Sequence, residues 1–85
     1  MSRKNYLKEI KTPCYRFRLK ELAAKKRIKL SEIAEATGLS RSIIYNIAGN
    51  PNYDPKFGYV LVIARYLGVS LDEFIEVEEE KEIEG

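Results

Sequence analysis

Eighty-five residues suffice for one small domain with a modest core and leave no room for a large enclosed active site, so function is expected on the surface. The chain is 45% apolar with a formal net charge of +2, which fits a folded globular protein rather than a disordered one. One cysteine and no histidine exclude an internal disulfide and the usual zinc constellations and leave no nucleophile with an obvious base, so neither enzymatic activity nor a metal or cofactor is expected.

Residues 1–12 read as a basic arm carrying Arg3, Lys4, Lys8 and Lys11, in which Tyr6, Leu7 and Ile10 are the apolar members. Thr12-Pro13 is a reasonable helix start, a hydroxyl cap followed by proline. Cys14 reads as a small apolar filler. Tyr15-Arg16-Phe17-Arg18 alternates like a strand, so the first helix begins anywhere from Pro13 to Arg18. From Leu19 the period is helical: Leu19, Leu22 and Ala23 share a face, and Lys25-Lys26-Arg27 place cations in the last turn, where the helix dipole favours them.

A second short helix is expected from Leu30 to Thr37, with Ile33 and Ala34 inward and Gly38 as terminator. Ser40 is a strong cap for a third helix from Arg41 to Ala48, where Ile44 and Ile47 recur at helical spacing and Gly49 closes the element. Residues 50–55 form an irregular loop. A fourth helix runs from about Lys56 to Leu67 with Val60, Ile63, Ala64 and Leu67 as its core stripe, and Gly68 ends it. Its apolar run from Tyr59 to Ala64 is far shorter than the roughly 20 residues needed to span a bilayer, so a soluble protein of the cytoplasm, with no membrane partner, is expected. Ser70 caps a last short helix containing Leu71, Phe74 and Ile75.

Charge is divided unevenly along the chain. Residues 1–70 hold 14 Lys or Arg against 5 Asp or Glu, whereas residues 71–85 hold 1 against 8. A basic body with an acidic end suits a nucleic-acid binder carrying a solvating or regulatory tail, although surface helices of any soluble protein also carry Lys and Arg. The expected architecture is all-α, a compact bundle of five helices with an arm over 1–12, a domain over 13–75 and an acidic tail over 76–85. One alternative stays open within it. Ile75-Glu76-Val77-Glu78 alternates with the charge pattern opposite to Tyr15-Arg16-Phe17-Arg18, as two paired strands would, and Arg16 and Arg18 would then serve the fold rather than a ligand.

The stretch from Leu30 to Ala48 is two short helices joined by a tight turn at Gly38, with Ala34 small enough for a close crossing and Ile33, Leu39, Ile44 and Ile47 locking the angle. From Tyr15 to Ile75 the chain resembles the phage-repressor and Cro-type, or Xre-like, helix-turn-helix family. The resemblance rests on Leu19-Lys-Glu-Leu22, Ile33-Ala34, Gly38-Leu39-Ser40, Ile44, Ile47, Pro55, Ile63-Ala64 and Leu67-Gly-Val-Ser-Leu-Asp-Glu-Phe74.

The resemblance implies a transcriptional regulator, a repressor by expectation, that binds double-stranded DNA with its third helix in the major groove. Arg41, Ser42, Tyr45 and Asn46 stand at the base-reading positions, Arg41 suited to guanine and Asn46 to adenine. Phosphate contacts fall to Lys29, Ser40, Asn50, Asn52 and Lys56. Leu30 replaces the family's frequent glutamine at the start of the second helix, and the loop before Pro55 is longer than the usual form. The family's Arg and Glu pair between the first and third helices is replaced by Ala23 and Ala48. Loss of both charges together removes two desolvation costs with the attraction, so the swap is tolerable.

A second apolar stripe on the fourth helix, Tyr59, Val62 and Tyr66, marks either a homodimer interface or a seat for the amino-terminal arm. A nucleoid-associated setting follows from DNA binding. The alternative function is an antitoxin-like or adaptor protein that binds a protein partner through the acidic tail or the fourth helix.

Overall fold

The computed structural model describes residues 14–78. The Thr12-Pro13 helix start, the arm with Tyr6, Leu7 and Ile10, and the tail from Glu79 onward lie outside the described residues. The elements run β1 (Cys14–Phe17), α1 (Leu19–Lys26), α2 (Leu30–Thr37), α3 (Arg41–Gly49), α4 (Phe57–Leu67), α5 (Leu71–Phe74) and β2 (Ile75–Glu78).

The helices form where period and punctuation agree. In α2, the left-handed Gly38 (φ 80°) donates its N–H to Ala34 O and turns the chain within one residue. At the other end of α2, Glu32 Oε1 accepts from the Lys29 backbone N–H at 2.9 Å, satisfying one of the donors a helix start leaves open. Ser70 Oγ and Glu73 complete a reciprocal capping box on α5. Without that box a helix of 4 residues would be difficult to hold.

Eleven side chains form the buried core: Leu19 and Ala23 from α1, Ile33 and Ala34 from α2, Ile44 and Ile47 from α3, Val60, Ile63, Ala64 and Leu67 from α4, and Phe74 from α5. The ten from α1 to α4 lie on the faces expected from periodicity. Half-buried Phe17, Leu22, Ile28, Leu30, Leu39, Ile43, Tyr53 and Val69 extend the cluster. Ala48 packs against the same core and Ala23 lies inside it, so both replacements of the family's ion pair sit in apolar surroundings.

The all-α expectation is corrected by the two short strands. β1 pairs antiparallel with β2, with Tyr15 opposite Val77, Arg16 opposite Glu76 and Phe17 opposite Ile75. Ile75, expected in the last helix, is the first residue of β2, and the 75/76 domain boundary falls inside that strand. Alternation explains the outcome. The inner face carries Phe17, whose ring lies 5.6 Å from that of Phe74, while the outer face sets Arg16 Nε 2.8 Å from Glu76 Oε1. A helix over these residues would scatter both contacts around its circumference.

Arg16 also hydrogen-bonds Glu21 on α1, and this bond holds the Glu21 carboxyl below its ordinary range. Arg18 Nε lies 3.8 Å from the same Glu76 oxygen. Arg16 therefore binds the two strands and α1 to one another, and Arg18 adds a longer contact to β2.

Three further boundaries differ from expectation for local reasons, the first being the start of α1 at Leu19, past the expected range of Pro13 to Arg18, because β1 takes residues 14–17. Gly49 is the last residue of α3 rather than its terminator, and the extended Asn50 (φ −108°) caps the helix. The first helix ends at Arg27, a non-glycine residue in the left-handed region (φ 59°), whose strain of about 1 kcal/mol accompanies the bond from Ile28 N–H to Ala23 O that folds Ile28 onto the core.

Phe74 is fully enclosed and joins the sheet to the bundle. Phe74→Ala is expected to destabilise the protein by about 3–5 kcal/mol, read as a lowered denaturant midpoint, with β1 and β2 amides losing exchange protection in the same variant.

Candidate nucleic-acid interface

The second helix of the helix-turn-helix is presented by what it buries. Ile44 and Ile47 point into the core, and a turn of 3.6 residues then carries Arg41, Ser42 and Tyr45 to the opposite side. All three are exposed, Tyr45 by 49%. Asn46 lies at the border of this face and is half-buried. The structure thus gathers the four expected base-reading residues on one strip of α3.

Ser40 sits at the head of that strip. Its extended backbone lets Oγ accept from the Ile43 N–H at 3.1 Å, and the remaining amides of the first turn point outward with the positive end of the helix dipole. No acidic residue occurs in α3, so Arg41 and the dipole give this end of the helix a single sign.

The backbone candidates are more dispersed. Lys29 caps α2 and is exposed; its main-chain N–H is taken by Glu32, while its ammonium is uninvolved in that cap. Lys56 caps α4, with Nζ 5.8 Å from the centre of the Tyr59 ring. Asn50 and Asn52 lie in the exposed turn after α3. That turn is braced from β1, where the Tyr15 hydroxyl donates to Asp54 Oδ1 at 3.3 Å, and the Asp54 carboxylate pushes the phenol's pKa up.

Within the turn the asparagines form a relay. The Asn52 backbone N–H donates to Asn50 Oδ1 at 3.0 Å, and Asn50 Nδ2 donates to Asn46 Oδ1 at 3.3 Å. Sequence reading placed Asn46 and Asn50 in separate roles. Their i, i+4 spacing is the sequence signal of this link, which carries one turn past the end of α3.

Comparison with known proteins places this geometry. A profile of the Cro/C1-type HTH DNA-binding domain matches residues 18–80. The chain belongs to this family. An uncharacterized HTH-type transcriptional regulator of Coxiella burnetii (strain RSA 493 / Nine Mile phase I) is 35% identical over 57 residues, which are 67% of this chain and 26% of the Coxiella protein. The chain thus spans about a quarter of that relative's length.

Two solved structures share the fold. A protein from Bacteroides fragilis superposes with a TM-score of 0.65 at 24% identity, covering 73% of this chain and 98% of the other. The transcriptional regulator VanUg superposes with 0.67 at 23% identity, covering 85% and 95%.

Among the described residues no group of three or more His, Cys, Asp or Glu is placed to hold a metal ion, and no helix is long and apolar enough to cross a membrane.

Ser40 can be tested apart from any ligand. Ser40→Ala is expected to cost about 1 kcal/mol of folding stability by chemical denaturation, and Ser40→Asp to retain most of it; equal losses would show that the cap does not hold α3.

Proposed function

We propose that this domain is a sequence-specific transcriptional regulator that acts as a repressor by occupying a promoter. The observation that carries the reading is the division of α3, with Ile44 and Ile47 buried and Arg41, Ser42 and Tyr45 turned to solvent beside Asn46. A helix held this way enters the major groove with its exposed strip on the base edges. Arg41 suits the two acceptors of guanine, Asn46 suits adenine, and Ser42 and Tyr45 contact a base or a neighbouring phosphate. Lys29, Ser40, Asn50, Asn52 and Lys56 flank the strip as backbone anchors, with the two lysines supplying counterion release. The Coxiella relative's description as a transcriptional regulator supports the same reading. A site of action on the nucleoid, in the cytoplasm, follows from it.

Selection of bound duplexes from a random library tests this directly. Arg41→Ala is expected to relax selectivity at one base pair and cost about 1–3 kcal/mol there, whereas Lys29→Ala weakens all sequences alike and lowers the salt slope by about one. A parent that enriches no sequence overturns the reading.

The outer surface of α4 favours a protein contact as well. Leu61, Val62 and Tyr66 are exposed by 44%, 37% and 43%, Tyr59 is half-buried beside them, and the only formal charge on this helix is Arg65. We assign Tyr59, Val62 and Tyr66 to a two-fold homodimer, the arrangement that matches a pair of half-sites about one helical turn apart. Val62→Glu is expected to convert a sedimenting dimer into a monomer. A parent that sediments as a monomer with and without DNA would direct α4 to a different protein partner, as in an antitoxin or adaptor.

A further inference from the structure

Asn46 is the base-reading candidate whose side chain the protein already holds. Its partner is Asn50, one helical turn later and just past the end of α3. Asn50 is in turn tied to the backbone, since the Asn52 N–H donates to its Oδ1 at 3.0 Å. Hydrogen-bond chemistry then determines the direction of the whole relay. A backbone N–H can only donate, so the Asn50 atom that meets it is the carbonyl oxygen, and the Asn50 amino group is left to face Asn46. An amino group also only donates, so the Asn46 atom that receives it at 3.3 Å is an oxygen.

An unrestrained asparagine can turn its amide over at little cost, exchanging an acceptor for a donor at the same place. Here one orientation is selected by a main-chain group two residues beyond the helix cap. Asn46 Oδ1 points toward the loop, and its amino group lies at the far end of the amide.

We infer that Asn50 is a positioning residue for sequence recognition: by bonding Asn46 Oδ1 it sets which end of the Asn46 amide meets the base. The inference rests on the proposed reading of α3 as the helix that enters the major groove. With the amino end presented, Asn46 favours a base whose major-groove edge offers an acceptor, which both purines do at N7. The second lone pair of Oδ1 remains able to accept from adenine N6, so the two-bond contact with adenine is also compatible. The second hydrogen of the Asn50 amino group likewise remains available to a phosphate. Asn50 thus acts through Asn46 in addition to its place near the DNA backbone.

Asn50→Asp separates this role from a structural one. The aspartate keeps an oxygen to accept from the Asn52 N–H, so the turn is retained, but it presents an acceptor where Asn46 requires a donor. The Asn46 amide turns over to donate to it, and Oδ1 becomes the end that meets the base. The informative base pair is the one at which Asn46→Ala loses discrimination.

At that pair, Asn50→Asp is expected to shift the preference selected from a random duplex library away from the purines and toward cytosine, whose major-groove edge offers a donor at N4 and no acceptor. The added charge also lowers affinity for all duplexes together. Asn50→Ala, which leaves the amide unheld, is expected to reduce discrimination at the same pair about two- to tenfold without a new preference. In the DNA-free protein, the Asn46 side-chain amide resonances in 15N-resolved spectra are expected to move in both variants.

Uniform loss of affinity with the preference at that pair unchanged would overturn the positioning role, as would Asn46 resonances that stay in place in both variants. A parent that enriches no motif instead overturns the regulator reading and with it any role in base choice, and the spectra separate this result from a failure of the relay itself.

Discussion

Ile44 and Ile47 commit one side of α3 to the core, and the arrangement of the candidate interface depends on that commitment. Both are almost wholly enclosed, and α3 packs against both α2 and α1. Close packing leaves a helix with two such anchors little freedom to roll about its axis. The exposed strip from Arg41 to Asn46 is therefore a consequence of burial: a ligand-facing surface is defined by the residues that cannot face the ligand. Ala34 and the left-handed Gly38 permit the close crossing that makes this possible.

The sheet closes the domain by a different kind of interaction. β1 and β2 have four residues each, too short a pair to stand alone in water. They persist because Phe17 rests on Phe74 and because Arg16 is shared between Glu76 in β2 and Glu21 in α1. The ion pairs are exposed, so their contribution is modest and screened by salt; the aromatic contact supplies the greater part of the attachment. The alternation decides register, because a shift by one residue would turn Phe17 to solvent and Arg16 toward the core. Arg16 is thereby occupied by acidic neighbours, and Arg18 lies beside one of them.

Polar order at the candidate interface extends beyond α3 into the turn that follows it. Tyr15 holds Asp54 at one end of this turn, and the asparagine relay runs from its other end to Asn46. The candidate base-reading face and the candidate backbone contacts consequently belong to one hydrogen-bonded unit, in which the main chain sets the orientation of a side chain several residues away.

Much of this architecture follows from the sequence alone. The bounds of α2, the cap at Ser40 and the ten core residues of α1 to α4 were legible because each rests on a local rule: helical period, a hydroxyl cap, or a glycine at positive φ. The family resemblance and the exposed positions of Arg41, Ser42 and Tyr45 follow from the same pattern. Other features depended on contacts between distant segments. Alternation at 15–18 and at 75–78 suggested paired strands, but the helix signal at Ser70 ran through Ile75, and only the packing of Phe17 on Phe74 decided where helix gives way to strand. Arg27 carries no glycine signal for its left-handed turn, which is held by the burial of Ile28. The link from Asn50 to Asn46 needed the Asn52 amide to give it a direction. Sequence periodicity determined which faces are buried, because hydrophobic burial is non-directional; tertiary structure decided pairing and amide orientation, because hydrogen bonds are directional and their partners are chosen only once the chain is folded.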